Sequence, residues 1–295
     1  MRKFAQRHPM LPLIIPAALL IYFVYVSLGW NLWVSVSDWE RGSLEASYGW
    51  GGFGEYVRMF SSPNFWPALG NTLLLFCLIP LCLLIGLGLA LVMDQGLRGT
   101  AVFRTLILLP FALSFVVTGT VWAYMYRPSG GVLNSFLSLL GVNVSGLMAE
   151  GHLMWASSNR TIMLSIIIAL VWQFSGYVAV IFLAAIKNVP VNIINAAKLD
   201  GAYMPRIYLK MIIPQLKGAM GSCITILAMY ALRSFDFIVS LVGYTTSSAW
   251  TLPVWMYNEA FQNNNFAYSA AISCFLLALV LILILPLTYW TNKRK

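Results

Sequence analysis

Charge is what this chain has least of. Only 9% of its 295 residues are Asp, Glu, Lys or Arg, against about 25% in a soluble domain, so a water-facing surface cannot be built from it. Histidine is nearly absent. His8 and His152 stand far apart, which leaves neither a histidine cluster for a metal nor a His-based general base. The four cysteines, Cys77, Cys82, Cys223 and Cys274, each lie inside an apolar run without a C-x-x-C neighbour. Disulfide and zinc readings are both poor, and the thiols read as small buried hydrophobes. No G-x-x-x-x-G-K-[ST] occurs, so the chain builds no phosphate-cradling loop. An enzyme is not expected, and neither is a cofactor held by this chain.

What is present is apolar. Hydrophobic residues make up 60% of the chain, and the mean hydropathy is +0.80. A membrane span needs about 20 apolar residues, because a helix rises about 1.5 Å per residue across a core about 30 Å thick. Six runs qualify, at about residues 11–36, 69–93, 105–126, 162–186, 219–242 and 268–290. The first is too long for a signal-peptide core and lacks a clear cleavage site, so it is expected to remain as an anchor. The expected fold is therefore an all-α integral membrane protein with six transmembrane helices. No internal repeat is evident, and residues 1–295 read as a single transmembrane domain.

Orientation follows from the basic residues. With both termini cytoplasmic, that side receives thirteen: Arg2, Lys3, Arg7, Arg98, Arg104, Lys187, Lys198, Arg206, Lys210, Lys217, Lys293, Arg294 and Lys295. The other side receives four: Arg41, Arg58, Arg127 and Arg160. Most of the net charge of +9 is then accounted for by topology and anionic lipid. The basic residues are dispersed between spans, which gives no nucleic-acid face. The outer loops, 38–67 and 127–160, are long enough to meet an external partner. Within the second, GGVLNSFLSLLGVNVSGL suggests a short amphipathic helix lying along the membrane surface.

The polar gap between the fourth and fifth runs is the most patterned segment. It reads NAAKLDGAYMPRIYLKMIIP from Asn195 to Pro214. Pro190 suits a first helical turn, the helix is expected through Leu199, and Gly201 suits a left-handed C-cap. Ile193, Ala196 and Ala197 are expected to share a face low enough for another protein to approach. A second helical stretch over residues 204–211 would carry Arg206 and Lys210, and Pro214 would mark the return into the membrane. Asp94, at the end of the second run, reads as a boundary residue.

This segment closely resembles the cytoplasmic coupling loop of ABC-transporter permeases, here residues 188–217. Further stretches resemble the carbohydrate-import, maltose-type branch of that family over nearly the whole chain. They are GEYVRMFSSPNFWPALGNTL before the second span, GLRGTAVFRTLILLPF after it, WQFSGY in the fourth and SFDF in the fifth. The resemblance implies a type I importer permease of the prokaryotic inner membrane. It also implies a second permease subunit, often a different chain, with two ATPase subunits that carry ATP and Mg. An extracytoplasmic solute-binding protein would deliver a carbohydrate. Contact with the ATPase falls, by resemblance, on Asn195, Ala196, Ala197, Asp200, Gly201 and Pro214. The family motif usually opens with Glu where Asn195 stands, which removes a charge available to a basic residue on the ATPase.

Inside the membrane, Arg233 and Asp236 are the only charged residues deep in a span. Such charges face protein or water rather than lipid. At i, i+3 they are expected either to neutralise each other on one helix face or to present Asp236 to sugar hydroxyls. Trp172, Gln173 and Tyr177 on the fourth span, with Tyr230 and Ser234 sharing a face of the fifth, combine ring faces and hydrogen-bonding groups suited to a sugar. Packing is the competing explanation for Trp172 and Phe235, and close helix approach for Gly176. The alternative to an ATP-driven importer is a secondary carrier, which would place ion-coupling acids at the midplane. Asp236 is the lone candidate for that role.

Overall fold

The computed structural model describes residues 11–96, 98–141, 155–156, 158–159 and 161–292, excluding side chains 11–13 and 290–292. Among these residues the regular structure is helical, apart from one antiparallel bridge between Ser37 and Trp50. The helices run α1 (Leu11–Val34), α2 (Gly54–Ser61), α3 (Phe65–Leu74), α4 (Leu78–Asp94), α5 (Thr100–Ala112), α6 (Phe115–Met125) and α7 (Val132–Leu139). They continue with α8 (Ile162–Lys187), α9 (Val191–Leu199), α10 (Met204–Ile207), α11 (Ile213–Gln215), α12 (Lys217–Leu232), α13 (Phe235–Val242), α14 (Leu252–Tyr257) and α15 (Phe266–Asn292).

Four segments are long and apolar enough to cross a membrane as single helices: Ile14–Val34, Phe65–Asp94, Ile162–Lys187 and Phe266–Tyr289. Two further pairs qualify only jointly, α5 with α6 at 98° and Met204–Gln215 with α12 at 62°. The count is therefore four, or up to six if each bent pair is one span.

Two expected runs differ from plain helices. The third is interrupted where Leu113 and Ser114 are extended, at ψ 145° and 152°. Ser114 then caps α6, its Oγ accepting from the Val117 N–H at 3.3 Å. A serine at an N-cap satisfies a helix-end donor, so two helices with separate ends replace one. The fifth run is interrupted at Arg233 and Ser234, between α12 and α13.

The chain divides into two compact units, one of residues 1–65 with 256–277, the other of residues 66–255 with 278–295. In the first, Asn31 Nδ2 donates to Ser273 Oγ at 2.5 Å, and Ser35 Oγ and Tyr56 Oη lie 2.7 Å apart. Phe60, Phe65 and Phe275 meet edge to face at 5.0–5.7 Å. Arg58 stacks over Tyr268 at 4.2 Å while bonding Glu55 at 3.2 Å, so part of loop 38–67 is pinned by charge.

The second unit is assembled around α8, most of which is buried. Small residues let its neighbours approach. A Cβ on Gly176 would run into the Ile107 carbonyl of α5, and one on Gly86 of α4 into Val178. Gly119 does the same for α6 on α13, beneath Ser240 and Phe237. This is the close backbone approach expected where lipid supplies no hydrophobic drive between helices. Leu75, Leu78, Ile166, Leu170, Phe174 and Phe182 fill the interior.

Candidate functional site: a cavity between broken helices and the segment between α8 and α12

The two helix breaks converge. A cavity of about 300 Å³ is lined by Phe111, Leu113, Ser114, Phe115, Val116, Gln173, Phe174, Tyr230 and Asp236. It thus draws on both arms of the α5–α6 break, on α8 and on both sides of the α12–α13 break. Irregular backbone at membrane depth is tolerated only where protein buries it or water lines it. The Leu113 carbonyl, freed from α5, accepts from Gln173 Nε2 at 3.2 Å.

Of the six residues expected to touch solute, Gln173, Tyr230 and Asp236 line this one cavity. Tyr177 sits beside it, stacked on the lining ring of Phe111 at 4.4 Å and 18°. Trp172 is not in the lining, and meets Trp122 edge on at 5.7 Å. Ser234 is buried and turned inward, its hydroxyl donating to the Ala231 carbonyl at 3.0 Å. Tyr230 and Ser234 therefore do not share a helix face, because the helix ends between them.

The expected Arg233–Asp236 pair does not form. The ion pairs among the described residues are Arg41–Glu55, Arg58–Glu55 and Lys187–Asp94. The reason is again the break. Arg233 terminates α12 with non-helical φ −108°, ψ 14°, so i, i+3 spacing no longer places the two groups together. Asp236 is left exposed in the cavity wall.

Phe111, Phe115 and Phe174 add three aromatic rings to the lining beside Leu113, Ser114 and Val116, and the sequence reading named none of these six as solute contacts. Phe115 meets Tyr230 at 5.6 Å and Phe174 meets Tyr230 at 4.7 Å. Gln173 is only 2% exposed, and its Oε1 has no hydrogen-bond partner. That oxygen lies behind the wall, where a solute reaches it only if the wall moves. The detectable signal was the sequence PFALSF, in which Pro110 and a cap-forming Ser114 flank the break.

In the segment that follows α8, α9 ends in a Schellman motif. The Ala202 N–H bonds the Ala197 carbonyl at 3.0 Å and the Gly201 N–H bonds Lys198 at 3.1 Å. Gly201 has φ +77°, the left-handed value that favours glycine. Pro190 stands at the N-cap position, one residue before the first turn of α9, and makes no side-chain capping bond. Ala197 is 5% exposed, while Ala196 is exposed and Ile193 is 37% exposed. The expected common face is thus split. One residue step turns the helix by about 100°, which sends Ala197 inward and leaves Ala196 outside with Asn195 and Asp200. The stretch over 204–211 is helical as expected and runs on without a bend to Gln215. It is α10, then a π-turn from Tyr208 to Ile212, then α11, in which Pro214 lies just before the bend.

One residue of this region escaped the sequence reading as anything but a boundary. Asp94, the last residue of α4, accepts from Lys187 Nζ at 2.6 Å and from Tyr208 Oη at 2.7 Å. It ties the end of α8 and the π-turn to one carboxylate.

A family model described as "Binding-protein-dependent transport system inner membrane component" matches residues 82–292. A probable ABC transporter permease protein of Pyrococcus horikoshii is 43% identical, the match covering 98% of this chain and 99% of that one. The xylose/arabinose import permease of Haloferax volcanii is 36% identical over 95% and 86%. Among solved structures, a bacterial ABC transporter involved in import of the acidic polysaccharide alginate matches with a TM-score of 0.78. It shares 20% identity, the match covering 99% of this chain and 98% of that one. That likeness concerns the fold.

Proposed function

As this chain belongs to the family of binding-protein-dependent transport system inner membrane components, we propose that it supplies half of the solute path of an ATP-driven sugar importer. Membership makes it a multi-pass permease subunit of the inner membrane. The proposal concerns what it carries and what it assembles with. Six spans, counting each broken helix once, would place both termini in the cytoplasm, as the basic residues favour. Residues 1–295 would then act as a single permease domain.

The observation that carries the reading is the meeting of two broken helices on one cavity of about 300 Å³, within the size range of small-molecule sites. Its wall offers what a sugar needs. The Phe111, Phe115 and Tyr230 rings suit CH faces, and the Ser114 hydroxyl and Asp236 carboxylate suit hydroxyls. Tyr177 would act through Phe111, with Gln173 holding the α5–α6 break in shape. Trp172 and Ser234 support the walls rather than touch solute. The second permease, usually a different chain in this branch, would close the cavity from the other side.

The coupling segment, 188–217, would supply this chain's half of the docking contact with the two ATPase subunits beneath the permease pair, which bind ATP and Mg. Val191, Leu199, Tyr203 and Leu209 are 64%, 89%, 66% and 66% exposed there. Apolar side chains facing a polar compartment favour a protein partner. Asn195, Ala196, Asp200 and Gly201 would lie at this contact, Ala197 would brace it from inside, and Pro214 would set the turn back to α12. A solute-binding protein would deliver sugar from outside.

The test is solute-stimulated ATP hydrolysis by the complete complex across a panel of pentoses, disaccharides and oligosaccharides. One neutral sugar is expected to stimulate, and Asp236→Ala is expected to lower its transport about tenfold or more while subunit yield holds. Yield and transport falling in parallel would reduce Asp236 to a structural residue. Hydrolysis indifferent to every sugar would contradict the carbohydrate reading.

A further inference from the structure

We propose that Asp94 is the positioning residue through which the coupling segment moves the membrane helices, holding that segment by both of its arms. The inference rests on the coupling reading of residues 188–217. It adds a part outside that segment and outside the family motif.

Chain order makes the geometry informative. Lys187 is the last residue of α8, immediately before the segment, and Tyr208 opens the π-turn in its returning arm. Asp94 ends a different helix, α4, which packs along α8 at Gly86 and Val178. One carboxylate therefore joins the segment's entry, its return and the helix beside them, with Lys187 Nζ on Oδ1 and Tyr208 Oη on Oδ2.

The two contacts are unequal. The Lys187 side chain is 61% exposed and that of Asp94 14%, so water and salt screen the ion pair. Tyr208 is only partly exposed, and Ile207 before it is buried. Its phenol makes a charge-assisted bond, the stronger and more directional kind. A π-turn begins at the residue making that bond. Such turns widen a helix by one residue and recur at functional sites. Displacement of the segment would thus be passed to α4 through Tyr208 and Asp94, with Lys187 keeping the carboxylate in place.

The experiment uses the whole complex in proteoliposomes, reading solute transported per ATP hydrolysed, with the sugar that stimulates hydrolysis most. Asp94→Ala and Tyr208→Phe are each expected to lower that ratio about fivefold or more, while assembled complex and ATP hydrolysis persist. The double variant should be no worse than either single, since both break one link. Lys187→Met, which removes the screened contact, should lower the ratio less than Tyr208→Phe does, and Asp94→Asn, which keeps an acceptor, should fall between Asp94→Ala and the native chain. A destabilised subunit would instead lower transport and hydrolysis together. An unchanged ratio in Tyr208→Phe, or additive losses in the double variant, would overturn the proposal. Gly201→Asp serves as the reference. If it uncouples while the Asp94 and Tyr208 variants do not, the coupling segment stands and this inference falls. If Gly201→Asp is also coupled, both fall.

Discussion

Gly176 shows how much one absent atom decides. Its missing Cβ lets the Ile107 carbonyl of α5 lie against α8, three residues from Gln173. A backbone carbonyl cannot rotate away as a flexible side chain does, so any side chain there separates the helices. Gly176→Val is expected to destabilise the subunit by at least about 1–3 kcal/mol, the usual overpacking penalty. Thermal unfolding of the purified complex would show it as a lowered midpoint, and an unchanged midpoint would contradict the packing described here. At this scale the sequence was partly readable. Gly176 stood out as a site of close approach, and Gly201 as a left-handed cap, because glycine has few other reasons to occupy such positions. Asp94 did not stand out. Its partners lie 93 and 114 residues further along the chain, and nothing local to it differs from an ordinary helix end.

Whole helices were easier to read where they were unbroken. The runs over residues 162–186 and 268–290 correspond to α8 and α15 nearly to their ends, since a long apolar run has one cheap structure in lipid. Hydropathy could not register the break at Leu113–Ser114, because Leu113 and Phe115 are as apolar as their neighbours, whereas the break at Arg233–Ser234 was marked by charge that the sequence reading placed on a continuous helix. The breaks are set by hydrogen bonding and by cavity lining, and both form only in the folded chain. Of the two readings of Arg233 and Asp236, the self-neutralising pair presumed a continuous helix and does not form. Within the coupling segment the helix was legible but its facing was not. Ala196 and Ala197 are chemically identical, and only packing decides that the second turns inward. The outward face yields a prediction at this scale. Leu199, 89% exposed at the last residue of α9, would be desolvated by an ATPase. Leu199→Asp should leave membrane insertion intact and reduce copurification of the ATPase about tenfold. Undiminished copurification would remove α9 from the docking surface.

Across the molecule, the composition, the coupling segment and the family match all point to one class of protein, and the residues divide into two working regions. One is a cavity where interrupted helices meet among aromatic rings. The other is the segment between α8 and α12, joined to Asp94 through Lys187 before it and Tyr208 in its returning arm. In the proposed mechanism, force applied to the segment opens and closes the cavity. The most direct measurement is ATP-dependent sugar uptake by proteoliposomes holding the complete complex, compared between the native chain and Gly201→Asp. At φ +77° an aspartate is strained, and the Schellman closure of α9 is lost while the spans are untouched. Full assembly with uptake abolished is the expected result. Uptake at the native rate from a fully assembled Gly201→Asp complex would contradict it.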